Sequence, residues 1–388
     1  MLRVIIPLCL IATMAQFATD IYLPSLISLS QDLSSSVHMA QGTIAIYLIF
    51  AAFSQLIFGS LSDVRGRYPL LVFSILLAML GSVVCSLSTS IEYVFLGRAI
   101  QGLGGGGTAV LSRIIVIDTF KDEALIKVTS YLSFCSIVIL AIAPIFGGFV
   151  EELLGWRANF IVLSLYMLMI LGVVIIFITE TLPIEKRKVI SIQRWWKIFY
   201  ELIHTLDFLC FSLCYVGSYS CIIVWLTVSP ILLQGSLHLT PIQFGYCYAV
   251  GCGAFAIGAL SNPRWVVLMG ARKTLFLGIA LEVVAGVIFT LQGVFEVFSV
   301  YSILFVNAVM MYGCMLVLNN SFAAAFHSVQ SVSGMAASIF GFGRIALSAG
   351  VSAIIAYLPE ETPFSLGVSV VLLSVFSYQV ASKGYQKN

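Results

Sequence analysis

Charged side chains are scarce in this 388-residue sequence, in which Asp, Glu, Lys and Arg together make up 9% of the residues. Soluble domains average about 25%. Because 60% of the residues are hydrophobic and the mean hydropathy is +1.08, a chain with so few charges would aggregate in water. This composition excludes a soluble enzyme, a nucleic-acid-binding protein and a disordered chain. It predicts a polytopic membrane protein.

Groups that perform catalysis or bind metals are also scarce. The four histidines are dispersed, and no two of the nine cysteines have the Cys-x-x-Cys spacing of a metal or redox site. The run Gly104 to Gly107 lacks the following Lys-Ser/Thr of a phosphate-binding loop, and we interpret it as a site of close helix contact. We therefore expect no enzyme activity, no metal, no cofactor and no nucleic-acid partner. No ATP-binding motif is present in the sequence, so any pumping would draw on an ion gradient or on partners.

Long apolar segments are abundant. A helix needs about 20 apolar residues to cross a bilayer, and twelve such segments occur, at about 4–26, 38–60, 69–88, 91–117, 128–150, 158–179, 207–232, 241–262, 273–292, 297–323, 331–357 and 363–382. The polar connection Glu180–Thr205 divides them into six and six, and the similar stretches Gly59–Asp63 and Gly258–Asn262 indicate an internal duplication. We predict an all-α membrane protein with twelve transmembrane helices in two pseudo-symmetric six-helix bundles. The bundles would comprise residues 1–180 and 206–388, joined by a cytoplasmic linker, 181–205.

The basic residues predict the orientation of these spans. If the N-terminus is cytoplasmic, every one of the 19 Lys and Arg lies in a cytoplasmic segment except Arg98, Arg113, Arg157 and Arg344. Lys and Arg are enriched in cytoplasmic loops of membrane proteins. We therefore expect both termini to be cytoplasmic.

Asp20 is the first candidate functional residue, because a charge in hydrocarbon costs several kcal/mol unless it is paired or hydrated. It lies in the outer part of the first span. A carboxyl that alternates between neutral and charged states there suits proton coupling or substrate recognition. The alternative is an interfacial cap on a helix that ends at Pro24.

Four further charged residues lie away from the ends of the predicted spans. Arg98 and Arg113 belong to the fourth span, and a guanidinium in a membrane must face a polar cavity or a carboxylate. Arg98 has either a structural role, by pairing with Asp20 or with helix carbonyls, or a role in transport. Glu282 in the ninth span and Arg344 in the eleventh are candidates for a second titrating or substrate-contacting group. Glu282 alternatively snorkels or faces a polar neighbouring helix.

Several motifs carry a family resemblance. They are Thr19–Pro24, Gly59–Arg67, Arg98–Gly102, Ala143–Gly148, Gly155–Arg157, Glu180–Leu182, and Ser333–Ser338 with Gly341. Together they resemble the major facilitator superfamily, and within it the twelve-span drug:proton antiporters of the bicyclomycin-resistance (Bcr/CflA) type. The chain departs from the pattern at Val64, where the loop motif usually carries arginine, and at Ile117, where the branch often has arginine.

The resemblance implies that the chain exports a small amphipathic compound in exchange for protons by alternating access. It implies that Asp20 is the coupling or recognition carboxyl, with Arg98 and Gln101 as its polar partners and Arg113 as a cavity-lining cation. For a gate on the cytoplasmic side it implies Gly59, Asp63, Gly66, Arg67 and Asp118. For the hinge and tight packing of span five, the antiporter motif, it implies Pro144, Gly147 and Gly148.

Other functions share the same motifs. An exporter of an endogenous metabolite or siderophore, and a proton-coupled importer, remain alternatives to a multidrug exporter, and a non-transporting receptor or scaffold is an alternative of another class. The expected partners are a small-molecule substrate, protons and the lipid bilayer. We expect a monomer in the inner membrane of a bacterium.

Overall fold

The computed structural model describes residues 2–187, 199–327, 333–358 and 362–386. In these ranges the chain is almost entirely helical and contains no strand. It forms two compact units, Met1–Ile192 and Gln193–Asn388. The central part of the predicted linker, 188–198, lies outside the described residues. The proposed bundle boundaries at 180 and 206 stay a prediction.

The first unit contains seven of the α-helices in the described part of the chain. They are α1 (Leu2–Asp20), α2 (Leu26–Asp32), α3 (Val37–Arg65), α4 (Arg67–Ser86), α5 (Ile91–Thr119), α6 (Asp122–Leu154) and α7 (Trp156–Phe177). The short 3-10 turns Leu23–Ser25 and Ile184–Lys186 accompany them.

The second unit contains six long α-helices in its described part. They are α8 (Leu206–Pro230), α9 (Pro241–Met269), α10 (Ala271–Val294), α11 (Val300–His327), α12 (Ser333–Ile355) and α13 (Phe364–Gln386). A helical segment at 199–204 precedes α8, and a π-helical stretch, Ile231–Ser236, extends it.

Most of these helices are long and apolar enough to span a membrane. Eleven spans in the described part of the chain meet both criteria, and they coincide with eleven of the twelve predicted segments. The twelfth, 331–357, coincides with α12, whose described apolar stretch Ile339–Ile355 is shorter. The expected all-helical membrane fold is confirmed.

The first span contains a break that the sequence analysis did not predict. α1 ends at Asp20, and after the turn Leu23–Ser25 the chain continues as α2 to Asp32. Pro24 lies at the start of this turn, where its missing amide hydrogen costs little. The first helix therefore ends at Asp20 and not at Pro24. The break places Asp20 at a helix terminus inside the protein.

Helices pair in the same pattern within each unit. In the first, α5 packs on α1, α3 and α4, and α7 packs on α1 and α4, while α6 packs on α1. In the second, α11 packs on α8, α9 and α10, and α13 packs on α8 and α10, while α12 packs on α8. This correspondence is the one that a duplicated six-helix unit produces.

Glycines allow α5 to approach its neighbours closely. A Cβ on Gly104 would overlap the backbone of Ser74 and Ala78 in α4, and a Cβ on Gly106 would overlap the backbone of Ala51 in α3. Small residues let membrane helices pack backbone to backbone. The interpretation of the glycine run as a contact between helices is confirmed.

Candidate functional site

Asp20 is completely buried at the end of α1. Its Oδ2 accepts a hydrogen bond of 2.6 Å from Nε2 of Gln16, one helical turn earlier. No described residue forms a hydrogen bond with its Oδ1. A proton can therefore bind Oδ1 without displacing the amide of Gln16.

Arg98 lies in α5 and is also completely buried. Its guanidinium lies between two aromatic rings, 4.3 Å from the centroid of Tyr22 and 4.2 Å from that of Tyr47. Its Nη1 donates to the carbonyl of Ala18 at 3.0 Å and to Oε1 of Gln101. Among the described residues it forms no ion pair. Arg98 thus bonds to a helix carbonyl, which is one of the two structural roles considered above, and it does not pair directly with Asp20.

Hydrogen bonds hold the residues around Arg98 in place. Gln101 donates from Nε2 to the Ser82 hydroxyl at 2.6 Å. The Tyr22 hydroxyl lies 3.0 Å from that of Thr43, and the Tyr47 hydroxyl donates to the carbonyl of Ala15 at 2.9 Å. The cation is thus fixed by α1, α3, α4 and α5 together, and its charge acts on Asp20 through space.

Two of the candidate residues lie elsewhere. Arg113 is exposed on α5 and does not join the buried cluster around Arg98. Glu282 is completely buried in the second unit, near the middle of α10. Its Oε1 accepts from the hydroxyl of Ser218 in α8, and its Oε2 accepts from that of Ser374 in α13 at 3.1 Å. This geometry corresponds to a carboxyl that faces polar groups on neighbouring helices.

A network of charges surrounds Arg67 at the turn between α3 and α4. The Arg67 guanidinium lies 2.6 Å from Oδ1 of Asp63 and 3.2 Å from Oδ2 of Asp118, and Nη1 also donates to the Ser62 hydroxyl at 2.6 Å. Asp118 lies near the end of α5 and additionally accepts from the Thr181 hydroxyl at 3.2 Å. These bonds join the ends of α3, α4 and α5 to the segment that follows α7.

Glu180 extends this network, although the sequence analysis noted it only as part of a motif. Its carboxylate accepts from the backbone amides of Arg67 and Tyr68 at 2.9 and 3.3 Å, and lies 3.6 Å from Nη2 of Arg187. Gly66 has φ +99°, which side-chain-bearing residues rarely adopt, and a Cβ there would overlap the Glu180 carboxylate. Two requirements therefore favour glycine at this position: the turn needs a positive φ, and the Glu180 carboxylate occupies the space that a Cβ would need. Gly59 lies two turns earlier in α3.

The same position in the second unit lacks these charges. Asn320 of α11 donates to the side-chain oxygen of Asn262 in α9 at 2.7 Å. By the similarity of Gly59–Asp63 to Gly258–Asn262, Asn262 corresponds to Asp63. An amide that bonds another amide thus stands where the first unit has the carboxylate of Asp63.

The residues of the antiporter motif lie in α6, with Pro144 inside the helix. A Cβ on Gly147 would overlap the carbonyl oxygen of Ile21, the residue after Asp20. The Gly147 carbonyl accepts from Nδ2 of Asn159 at 3.2 Å, and Gly148 is buried beside it. The motif therefore packs directly on the break that follows Asp20.

Glu151, one turn further along α6, is a buried carboxyl that the sequence analysis missed because its fifth span ended at residue 150. The hydroxyl of Ser25 donates to its Oε2 at 2.5 Å, and that of Ser28 donates to its Oε1. Both oxygens of Glu151 are thus hydrogen-bonded, whereas only one oxygen of Asp20 is. The side chains at 333–335, 337 and 338, which form most of the predicted motif of span eleven, lie outside the described residues.

Comparison with known families agrees with this fold. The family model for the Major Facilitator Superfamily matches residues 8–376. The chain belongs to the Major Facilitator Superfamily. This major facilitator is 25% identical to the bicyclomycin resistance protein homolog of Haemophilus influenzae, with 96% of this chain and 94% of the relative covered. It is 24% identical to multidrug resistance protein D of Escherichia coli, with coverage of 96% and 93%.

A chloramphenicol resistance protein of Pseudomonas aeruginosa is 26% identical to this facilitator, over 93% of this chain and 85% of the relative. Among solved structures, a peptide transporter of the POT type in complex with alafosfalin superimposes with a TM-score of 0.77, at 15% identity, over 98% of this chain and 94% of that one. This likeness shows the fold alone. The facilitator is therefore a multi-pass membrane protein embedded in a lipid bilayer, and a transporter of small molecules rather than an enzyme.

Proposed function

We propose that this facilitator exports small amphipathic compounds in exchange for protons, as a multidrug antiporter of the bicyclomycin-resistance type. The names of the relatives, which refer to resistance to bicyclomycin, chloramphenicol and multiple drugs, support this substrate class. The bacterial sources of the relatives support a location in a bacterial inner membrane. The distribution of the basic residues supports an orientation with both termini in the cytoplasm. We propose that the protein functions as a monomer.

The buried carboxyl of Asp20 is the observation that carries this proposal. One oxygen is held by Gln16 and the other has no partner among the described residues. The nearby cation of Arg98 is fixed by its own contacts and forms no direct ion pair with the carboxylate. Protonation of Asp20 would change the local charge from balanced to positive without breaking a salt bridge. Proton entry and substrate binding can then compete for this site.

The antiporter motif would couple the protonation state of Asp20 to a movement of α6. Gly147 packs on the carbonyl of Ile21, so that a movement of the break after Asp20 pushes directly on α6. We propose that Pro144 and Gly148 allow this helix to bend in response. We also propose that the network formed by Asp63, Gly66, Arg67 and Asp118, with Gly59 at its base in α3, opens and closes as a cytoplasmic gate during alternating access.

Proton release from purified protein tests the role of Asp20. The detergent-solubilised protein, in weakly buffered solution with a pH indicator, should release protons when chloramphenicol is added. Asp20→Asn should abolish this release, because the amide cannot titrate. The matched control is Glu151→Gln, which removes another buried carboxyl of the same unit whose two oxygens are both hydrogen-bonded. It should leave the release unchanged.

Normal release from Asp20→Asn would contradict the assignment and direct the same test to Glu282.

Drug uptake into inverted vesicles under an imposed proton gradient tests the direction of transport. Uptake into right-side-out vesicles instead would contradict export.

A further inference from the structure

A permanent positive charge lies at the middle of α12 in the second unit. Arg344 is half-buried there, and its guanidinium lies 4.7 Å from the centroid of the Tyr219 ring. No described carboxylate forms an ion pair with it, and its Nε has no acceptor among the described residues. Arginine is effectively always charged. This guanidinium therefore carries hydrogen-bonding capacity that the described part of the unit leaves unused.

Aromatic side chains from three helices surround this position. Tyr215 stacks on Tyr219 with a centroid distance of 6.2 Å and contacts Phe340 edge-on at 4.8 Å. Phe322 lies 4.5 Å from Phe326, and both rings contact Phe340 at about 5.5 Å. We name these five side chains, from α8, α11 and α12, the aromatic face.

The aromatic face is not sealed inside the unit. Phe322 is 45% exposed, and Tyr215 and Phe326 are half-buried. Here ring surface stays accessible next to the guanidinium of Arg344.

Lipid is an unsuitable neighbour for this surface. An uncompensated charge at the centre of a bilayer costs several kcal/mol, and such residues face the bundle interior or a water-filled cavity, where they pair with other charges or with backbone carbonyls. The other charged residue deep in the spans of this unit, Glu282, is satisfied by Ser218 and Ser374. Arg344 has a hydrogen bond with the Tyr215 side chain, but no described carboxylate pairs with it and its Nε has no acceptor among the described residues. Its surroundings therefore point to a polar cavity in which a ligand replaces water.

We propose that Arg344 and the aromatic face form a binding subsite for aromatic carboxylates. A guanidinium binds a carboxylate through two parallel hydrogen bonds, and an aromatic ring of the same ligand can stack against Tyr219 or Phe322. This inference rests on the proposed function and specifies one substrate class: planar aromatic compounds that carry an anionic group. The subsite uses residues of the second unit and none of the cluster around Asp20.

Equilibrium binding of 2-naphthoate to the purified full-length protein in detergent tests the proposal. Arg344→Gln should weaken binding by about 10- to 100-fold, as expected for the loss of hydrogen bonds to a charged group. Arg344→Lys should have an intermediate effect. The neutral analogue 2-naphthalenemethanol should bind all three proteins with similar affinity, because it retains the ring and lacks the charge.

Arg272→Gln is the matched control, because this exposed arginine also lies over a tyrosine ring, 5.1 Å from the centroid of Tyr385. It should leave 2-naphthoate binding unchanged. Absence of binding to the wild type, unchanged binding to Arg344→Gln, or equal loss in Arg272→Gln would overturn the proposal. A thermal melt of each variant establishes that it is folded. These measurements need no proton gradient, so their outcome is independent of proton release through Asp20.

Discussion

Replacement of Arg98 by lysine tests whether a buried, doubly stacked guanidinium holds the first unit together. Lysine keeps the charge, but its compact ammonium cannot lie flat between Tyr22 and Tyr47. It also cannot reproduce the two hydrogen bonds that Nη1 donates to Ala18 and Gln101. We therefore expect Arg98→Lys to be destabilising although it conserves the charge.

The contacts that would be lost set the size of the effect. Loss of one of the two ring contacts of Arg98 costs about 1–2 kcal/mol when the pair is desolvated. Loss of one hydrogen bond from a charged group costs about 1.5–3 kcal/mol. The expected total is roughly 2.5–5 kcal/mol, which corresponds to a decrease in Tm of at least about 5 °C for a unit of this size.

Arg157→Lys provides a control of the same chemistry with different burial. The Arg157 guanidinium also lies over an aromatic ring, 4.2 Å from the centroid of Trp156, and forms a 2.5 Å ion pair with Asp32, but its side chain is 40% exposed. Exposed ion pairs contribute about 0–1 kcal/mol. Thermal unfolding in detergent, followed by tryptophan fluorescence, should show a clear decrease in Tm for Arg98→Lys and little change for Arg157→Lys. Equal shifts in both variants would refute the argument that burial makes the Arg98 contacts strong.

Two further predictions concern helix contact and the cytoplasmic gate. Gly106→Ala should lower the thermal stability, because its Cβ would lie 2.8 Å from the Ala51 carbonyl carbon, whereas Gly172→Ala should not, because no atom beyond its own stretch of helix lies within 4 Å of its Cβ. Similar melting curves for the two variants would contradict the described contact of α3 with α5. Asp118→Asn removes a carboxylate that pairs with Arg67 and should slow transport in vesicles, but it should leave the drug affinity of the purified protein within about twofold, since Asp118 is proposed to gate and not to bind the drug. A loss of affinity as large as the loss of rate would place Asp118 at the binding site.

Much of the polar centre of the first unit was visible in the sequence. Asp20, Arg98 and Gln101 stand out because polar residues are rare in these spans, and the structure brings them into one region. Gln16 was identifiable in principle, because a residue four positions earlier lies on the same helix face.

The two tyrosines could not be assigned in the same way. Tyr22 and Tyr47 enclose the guanidinium of Arg98 only because α1 breaks after Asp20 and because α3 has a particular rotation about its axis. Neither property follows from hydropathy. Glu151 was missed because the predicted fifth span ended at residue 150, and its contacts with Ser25 and Ser28 form only because the break after Asp20 brings these serines against the end of α6.

Insertion into a membrane and the helical nature of the spans follow from the amino-acid order alone. The transfer of a segment into hydrocarbon depends on its own composition, and its backbone must satisfy its hydrogen bonds internally. The partners of each buried charge were decided by packing: Arg98 is bonded to a carbonyl, Glu282 to two serines, and Arg344 is stacked on a tyrosine without an ion-pair partner among the described residues. These choices depend on the rotation and close approach of helices that are distant in sequence and, in the first unit, also on the break that follows Asp20.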